Sequence, residues 1–291
     1  MELRHLRYFL AVAEEGHFGR AAERLHIVQP ALSMQIRALE DELGTALFVR
    51  TSRKVALTEA GAILVDEARR TLGQAQRAQE LVRMSARGEV GTVRIGFSGN
   101  ASFAGKLAGD LRRFHLQCAQ VAIDLRETSP RRQIDAILAG ELDVGYCPTF
   151  DHTLHPDLGA ERIGTWPWTI ALHLTHPLTG RRSLRGADLR GERFVLYAAD
   201  DTETTQRDLL RSILGHEPAV AHSAGSTLTV LTMASAGLGL GLVPAPLATL
   251  SFPGLAFRPL DGLQATADLM LVYRLQETSG AVRRFLDHAR G

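Results

Sequence analysis

Residues 18–43, FGRAAERLHIVQPALSMQIRALEDEL, decide the fold of the first part of the chain. Their first third carries apolar residues at positions i, i+3, i+4 and i+7, the spacing of one buried helix face: Phe18, Ala21, Ala22 and Leu25. Gln29-Pro30 opens another helix, because proline suits the first helical turn, and Gly44 ends it. The pattern predicts a helix over residues 19–25 and, after a tight turn, a second one.

The flanking segments extend this arrangement on both sides. Upstream, a stripe at helical spacing, widened by Phe9, consists of Leu3, Leu6, Leu10 and Ala13. Downstream, residues 47–50 and 55–57 are predicted to form two short strands around Thr51-Ser52-Arg53-Lys54. A hairpin tipped with basic residues is a wing, so residues 1–57 are predicted to form an all-α winged helix-turn-helix domain.

The helix that begins at Gln29 has the pattern of a DNA-reading helix, whose N-terminal side chains meet base edges in the major groove. Its apolar residues Leu32, Ile36 and Leu39 are predicted to face the core. The residues left for the groove are Gln29, Pro30, Ser33, Met34 and Arg37. Arg50, Arg53 and Lys54 are expected to meet phosphates or a minor groove. Such contacts set affinity and salt dependence rather than sequence choice.

The charge balance leaves an alternative open at this point. The formal net charge is +1, and residues 1–61 carry equal numbers of basic and acidic side chains, as an ordinary three-helix bundle could. The acidic run Glu40-Asp41-Glu42, however, lies late on the helix, away from its reading end. This local distribution favours DNA binding over a bundle with solvated charges.

Length and composition bound the rest of the protein. With 291 residues, 45% of them hydrophobic and 22% charged, we expect a soluble globular protein of about two domains. No apolar run approaches the roughly 20 residues of a membrane helix, and residues 1–5 lack the apolar core of a signal peptide. A cytoplasmic protein is therefore expected, and two cysteines exclude a disulfide scaffold.

A long helix is predicted over residues 58–87, since Thr58 suits a helix N-cap and no proline interrupts the segment. Its positions alternate by four and three residues, as in a weak coiled-coil seam: Ala68, Leu72, Ala75, Gln79 and Val82. The alternative is a helix packed only on its own domain, for which this length is unusual. A dimer-forming linker is the favoured interpretation.

From residue 91 onward, predicted strands and helices alternate, which indicates an open α/β fold. The elements expected first are strands at 92–97, 121–125 and 143–146 and helices at 103–114 and 133–139. A crossing strand at 169–174 leads into a second unit, and the elements near 268–288 can rejoin the first. Residues 91–291 are thus predicted to form one domain with subdomain I at 91–164 plus 267–291 and subdomain II at 165–266.

The motifs in residues 18–61 closely resemble those of LysR-type transcriptional regulators. The matching residues are Phe18–Leu25, Gln29–Ser33, Ile36, Leu39-Glu40, Leu43-Gly44, Leu47-Phe48, Arg50, Arg53, Leu57-Thr58 and Gly61. Asp143-Val144-Gly145 and residues 237–244 resemble signatures of that family's effector domain. Residues 1–13 are most similar to the subgroup that controls aromatic-acid catabolism, such as the benzoate and catechol regulators.

The resemblance implies a bacterial DNA-binding transcriptional regulator with no catalysis, cofactor or metal. Its effector domain is expected to be of the two-subdomain periplasmic-binding-protein type, with an organic or aromatic acid bound between the subdomains. The other expected partners are a partly palindromic promoter site in double-stranded DNA, RNA polymerase, and further copies of the chain. Dimers are expected to assemble into a tetramer as a dimer of dimers, and no membrane partner is expected.

Three parts of the sequence depart from the family pattern. His17 and Gly19 stand where serine or threonine is common, so the helix that follows is expected to have a weak N-cap. Met34 replaces the arginine or other polar base-reader of many members. Cys147-Pro148 follows a strand after which the aromatic-acid subgroup often has a basic residue, so the aromatic carboxylate is less well supported.

Candidate effector contacts lie where strands are predicted to end, because ligands of open α/β sheets bind outside the carboxyl ends of the strands. In the first unit they are Ser98, Asn100, Thr128 and Ser129, and in the second Tyr197, Ser226 and Thr227. Hydroxyls, an amide and backbone N–H groups at a helix start suit a carboxylate. The alternative is that these residues only cap helices.

Several other motifs resemble catalytic, metal or redox sites, but each lacks residues that such a site needs. Gly96-Phe97-Ser98-Gly99-Asn100 approaches a hydrolase nucleophile elbow without its last glycine. The pairs His152/His155 and His173/His176 lack the further ligands of a zinc site, and Cys118 and Cys147 form no paired redox motif. An enzyme is thus disfavoured, and the main alternative is a small-molecule binding protein whose helical N-terminus serves only oligomerisation.

Overall fold

The structure, a computed structural model, describes residues 1–50, 55–148, 154–199 and 204–290. Contacts divide the chain into two units, Met1–Arg83 and Met84–Gly291. The first contains three short helices, a two-stranded hairpin and most of a long helix. These elements are α1 (Leu3–Glu15), α2 (Phe18–Arg24), α3 (Gln29–Leu43), β1 (Phe48–Arg50), β2 (Val55–Leu57) and α4 (Glu59–Ala86).

The apolar stripes predicted on the first three helices meet in one core. Its buried side chains include Leu6, Phe9, Val12, Ala21, Leu32, Ile36, Leu39, Leu47 and Phe48. The ring centroid of Phe48 lies 5.3 Å from that of Phe9 and 5.9 Å from that of Phe18. Phe48 belongs to β1, which pairs antiparallel with β2. Its packing in the core therefore holds the hairpin against the helices. The predicted winged helix-turn-helix is confirmed.

The helix ends follow from local sequence, with one departure from prediction. Gly16 and Gly44 close α1 and α3 in the left-handed conformation, at φ of 58° and 68°. The sequence predicts a weak N-cap for α2, and this is wrong. His17 Nδ1 accepts hydrogen bonds from the N–H of Gly19 at 3.0 Å and of Arg20 at 3.4 Å, so an imidazole nitrogen replaces the usual hydroxyl.

The first half of α4 packs on the core of its own unit. Ala68 has no exposed surface, and Leu72 packs against the same apolar cluster. The assignment of Ala68 to a dimer seam is therefore corrected, because its methyl group is already enclosed within the chain. Exposure rises along the rest of the predicted seam, from half-buried Leu72 and Ala75 to exposed Gln79 and Val82.

The second unit contains two five-stranded sheets among the described residues. Its strands are β3 (Gly91–Phe97), β4 (Val121–Glu127), β5 (Val144–Pro148), β6 (Leu158–Trp166), β7 (Trp168–His173), β8 (Arg193–Tyr197), β9 (Ala219–Ala224), β10 (Leu240–Pro244), β11 (Leu255–Pro259) and β12 (Ala267–Arg274). The sheet orders are β4-β3-β5-β12-β6 and β11-β7-β10-β8-β9. In each sheet three neighbouring strands are parallel, β4-β3-β5 and β10-β8-β9. Strands β12 and β7 run antiparallel to them, and the edge strands β6 and β11 pair antiparallel with β12 and β7.

Six helices cover these sheets. They are α5 (Gly99–Phe103), α6 (Lys106–Gln117), α7 (Pro130–Leu138), α8 (Thr204–Leu214), α9 (Thr227–Ser235) and α10 (Gly280–Arg290). The helix predicted at 103–114 corresponds to α6 and begins later than expected, because Gly105 precedes it with φ of 73° and Phe103 ends the separate helix α5. Strand β12 returns to the first sheet, as the sequence predicts for the elements near 268–288.

Candidate functional site

Helix α3 presents two chemically different faces. Leu32, Ile36 and Leu39 have no exposed surface. Of the residues predicted to read DNA, Ser33 is half-buried, and the exposed ones are Gln29, Pro30, Met34 and Arg37. Met34 exposes 62% of its surface, so this apolar side chain can contact a thymine methyl group. The exposed face carries the donors, acceptors and apolar surface that base edges require.

The start of α3 and the hairpin beside it supply further features of a DNA surface. Val28 precedes α3 in an extended conformation and has no side-chain oxygen to cap it, so the N–H groups of the first turn can bind a phosphate. Strand β1 ends at Arg50, opposite Val55 in β2. The predicted wing residues Arg53 and Lys54 lie outside the described residues.

The predicted effector residues lie at the carboxyl ends of parallel strands. Ser98 and Asn100 follow β3, and Thr128 and Ser129 follow β4. In the second sheet, Tyr197 is the last residue of β8, and Ser226 and Thr227 follow β9. These ends are where a doubly wound fold places its ligands.

One contact joins the two groups directly. Thr227 Oγ1 donates a hydrogen bond to Asn100 Oδ1 at 2.8 Å. Beside it, a Cβ atom built on Gly99 would lie 3.5 Å from Glu127 Oε1 and 3.6 Å from Thr227 Cβ. Glu127 is thus a residue that the sequence argument missed, although its position immediately before Thr128 could have identified it. Its carboxylate adds a negative charge beside Gly99 and Thr227.

Two of the predicted contacts have their hydroxyls engaged within the fold. Ser98 is buried, and its Oγ donates to the carbonyl oxygen of Tyr146 at 3.4 Å. Ser226 caps α9, because its Oγ accepts from the N–H of Thr229 at 3.1 Å. Ser226 therefore acts as a helix cap, whereas the Ser98 hydroxyl bonds the backbone of β5 and does not cap α5.

Two buried polar atoms, by contrast, have no hydrogen-bond partner among the described residues: Ser129 Oγ and Trp168 Nε1. Ser129 is the N-cap residue of α7. Trp168 begins β7 and pairs with Pro244, the last residue of β10, so it lies at the same end of the second sheet as Tyr197. Buried polar groups nearly always have a hydrogen-bond partner, so these two are the groups that would gain most from a hydrogen bond to a ligand. Trp168 was not among the predicted effector contacts, although its place next to the predicted crossing strand could have identified it.

The two cysteines are buried free thiols. Cys147 Sγ donates to Gln133 Oε1 at 3.2 Å. Burial raises the pKa of the Cys147 thiol, so it stays neutral and is a poor nucleophile. The position where the aromatic-acid subgroup often has a cation therefore holds a neutral side chain.

The competing motifs have ordinary local roles. His176 Nδ1 accepts from the N–H of Leu178 at 3.3 Å, and His173 Nδ1 bonds Thr175 Oγ1 at 2.8 Å. Within the described ranges no three His, Cys, Asp or Glu side chains come together as a metal site requires. His152 lies outside the described residues. In the part of the chain that the structure describes, no helix has the length and apolarity needed to cross a membrane.

Comparison with known proteins gives matches over nearly the whole chain. Residues 3–62 match the family model "Bacterial regulatory helix-turn-helix protein, lysR family", and residues 86–291 match "LysR substrate binding domain". The transcriptional regulator AlsR of Bacillus subtilis is 37% identical over 98% of this chain and 94% of its own length. XapR of Escherichia coli is 36% identical over 98% and 96%. The structure of full-length CbnR in complex with its target DNA is similar with a TM-score of 0.85, 30% identity, and coverage of 100% of this chain and 99% of that one.

Proposed function

Since the chain belongs to the LysR family of bacterial DNA-binding transcriptional regulators, which are not enzymes, we propose that an organic acid bound in its substrate-binding domain modulates how it reads promoter DNA. The observation that supports this proposal is Ser129 Oγ, a buried hydroxyl without a hydrogen-bond partner among the described residues. Ser129 lies at the start of α7, close to the carboxyl end of β4. A carboxylate there would accept from the hydroxyl and from first-turn N–H groups of the helix.

On the DNA side, each exposed residue of α3 has a distinct proposed role. Gln29 can bond adenine through both groups of its amide, and Met34 can contact a thymine methyl group. Ser33 and Arg37 are placed to reach a base or phosphate, with Pro30 setting the helix start. Arg50, Arg53 and Lys54 of the wing bind phosphates, so they contribute affinity that falls with salt.

Within the cleft, charge orients the acid. Glu127 lies close to Gly99 and would repel an anion, so the carboxylate is placed toward Ser129. Trp168 Nε1 offers a second donor for a polar substituent. The rest of the proposed lining consists of Thr128, Tyr197, Asn100 and Thr227. Ser98 and Ser226 are proposed to stabilise it through their bonds to the backbone. An aromatic acid fits the resemblance of residues 1–13, although no basic residue stands at Cys147.

The assembly we propose is a dimer through the part of α4 that follows Ala68, and a tetramer formed from two dimers. The residues proposed for the dimer seam are Leu72, Ala75, Gln79 and Val82. Such an assembly reads half-sites spaced by about one helical turn or multiples of it. Residues 58–87 are the linker, and the cleft separates residues 91–164 plus 267–291 from residues 165–266. RNA polymerase is the further partner through which bound regulator would act.

Footprinting of the purified protein on the DNA upstream of its own gene, at fixed salt, tests the proposal. A protected, partly palindromic site of several turns is expected. Adding organic and aromatic acids one at a time, benzoate among them, should lengthen, shorten or shift the protection for one class of acid. An unchanged footprint with every acid would refute the proposed effector class, whereas absence of any protection would refute the autoregulatory target.

A further inference from the structure

Each sheet of the second unit is accompanied by a buried glutamine on the helix that follows a cleft strand. Gln133 lies on α7, which follows β4, and has no exposed surface. Gln206 lies on α8, which follows β8, and exposes 9% of its surface. A buried amide is costly unless its N–H and C=O groups are both bonded, so its partners indicate why it is there.

The partners of Gln133 belong to two strand ends. Its Nε2 donates to the carbonyl oxygen of Thr128 at 3.0 Å, and its Oε1 accepts from Cys147 Sγ at 3.2 Å. The side chain thereby ties the segment after β4 to the end of β5.

Two glycines make room for this side chain. A Cβ atom on Gly96 would lie 2.9 Å from Gln133 Cγ, and one on Gly145 would lie 3.0 Å from Gln133 Oε1. Leu142 Cδ1 would lie 2.6 Å from the Cβ on Gly96, and Ile137 Cδ1 would lie 3.0 Å from the one on Gly145. A side chain on either strand would thus crowd Gln133 and these two apolar neighbours, so both glycines help to make room for the glutamine.

Gln206 makes the corresponding connection in the second sheet. Its Oε1 accepts from the N–H of Tyr197 at 2.9 Å, and its Nε2 donates to the carbonyl oxygen of Leu242 at 3.1 Å. It thus ties the last residue of β8 to β10. In both sheets the glutamine bonds the backbone of a predicted effector residue, Thr128 in one and Tyr197 in the other.

We propose that Gln133 and Gln206 are positioning residues of the effector cleft, each fixing the carboxyl end of one cleft strand without touching the effector. The inference rests on the proposed function for the site itself, because it assigns the glutamines to the residues around it. Loss of either amide leaves a buried backbone group unpaired and frees one strand end, while the opposite sheet keeps its geometry. Binding of the effector would then have to order the freed strand end, and the affinity for the effector would fall.

Hydrogen exchange on the full-length protein tests the positioning directly. Gln133→Met should raise exchange in the segment 122–129 by about tenfold and leave the segment 193–199 unchanged, and Gln206→Met should do the reverse. Cys147→Ala is the control, since it removes one partner of Gln133 but keeps the bond to Thr128.

Unchanged exchange in both segments, or an increase spread over both sheets, would overturn the proposal. Benzoate is the ligand probe: both methionine variants should bind it about tenfold more weakly than wild type, with DNA affinity in its absence unchanged. If the wild-type protein does not bind benzoate, the proposal of an aromatic acid as effector is contradicted. The hydrogen-exchange data still decide the role of the glutamines in that case. Local exchange that rises while benzoate affinity stays constant would show that these strand ends do not line the effector site.

Discussion

At the residue scale, the buried carboxylate of Asp143 shows how charge is held inside the second unit. Arg94 donates to it from its backbone N–H at 2.8 Å and from its guanidinium at 3.0 and 2.7 Å, and Arg274 donates at 2.9 Å. Burial by itself raises the pKa of Asp143, but these hydrogen bonds outweigh it and hold the pKa below its ordinary value. The stability this gives is present above the unfolded-state pKa of about 3.9 and is lost as pH falls through the lowered pKa.

We therefore expect Asp143→Asn to lower the free energy of unfolding by about 3 kcal/mol at pH 7, because two arginines then face a neutral amide. The difference from wild type should shrink below about pH 4, where the wild-type carboxylate is being protonated. Urea unfolding between pH 7 and pH 3 measures both effects. The control is Asp208→Asn, an exposed carboxylate 2.8 Å from Arg211, which should cost less than about 0.5 kcal/mol. Equal losses at the two sites would contradict this account.

At the element scale, α4 contains two glycines in opposite surroundings. A Cβ atom on Gly61 would lie 2.2 Å from the carbonyl oxygen of Leu47, a backbone atom of the segment that leads into the hairpin. A Cβ atom on Gly73 would meet nothing within 4 Å. We expect Gly61→Ala to lower the free energy of unfolding by about 2 kcal/mol through overpacking, and Gly73→Ala to raise it by up to about 1 kcal/mol. Thermal unfolding of the two variants compares them, and a Gly61→Ala protein as stable as wild type would disprove the close approach.

The exposed half of α4 allows a test of the proposed dimer seam. Val82 exposes 71% of its surface in the single chain, so Val82→Glu should leave the chain folded while placing two carboxylates together in a dimer. We expect the dimer dissociation constant to rise at least about tenfold, as measured by sedimentation. Gln74→Glu, which adds the same charge at an exposed position off the seam, should leave it unchanged. Dimers that survive Val82→Glu intact would place the interface elsewhere.

The helices of the first unit could be predicted closely because each carries a local apolar stripe and a local end signal. Strands β6, β9 and β11 could not, because their burial alternates weakly along the strand and their pairing depends on distant partners. The break between α5 and α6 depends on the backbone of Gly105, which a helical spacing of Leu107 and Leu111 does not reveal. Local periodicity thus predicts helices better than it predicts edge strands.

At the scale of the whole molecule, strand ends followed by Ser, Thr and Asn could be located from the sequence, and these are the ends at which effector contacts are proposed. The contacts that their residues make with one another could not be predicted. The bond between Asn100 and Thr227, the approach of Glu127 to Gly99, and the burial of Ser129 Oγ depend on how distant segments meet. No short-range pattern encodes such meetings, so the sequence indicated which strand ends matter but not which hydroxyls stay unpaired.

DNA binding by the intact protein separates the two roles proposed for its N-terminal unit. Gln29 lies exposed at the start of α3, where an amide reads a base edge, so Gln29→Ala should weaken binding to the operator by about 1–3 kcal/mol and leave binding to random DNA nearly unchanged. Lys54→Ala should weaken both alike and reduce the slope of log affinity against log salt by about one. Titrations of both DNAs at several salt concentrations measure the two effects.

Each outcome of these titrations bears on one assignment. A Gln29→Ala protein that loses affinity for random DNA as much as for the operator would assign Gln29 to a phosphate. An effect of Lys54→Ala confined to one base pair, with an unchanged salt slope, would assign Lys54 to a base edge instead. Because a phosphate contact releases counterions and a base contact does not, the salt slope distinguishes the two roles whatever the operator sequence is.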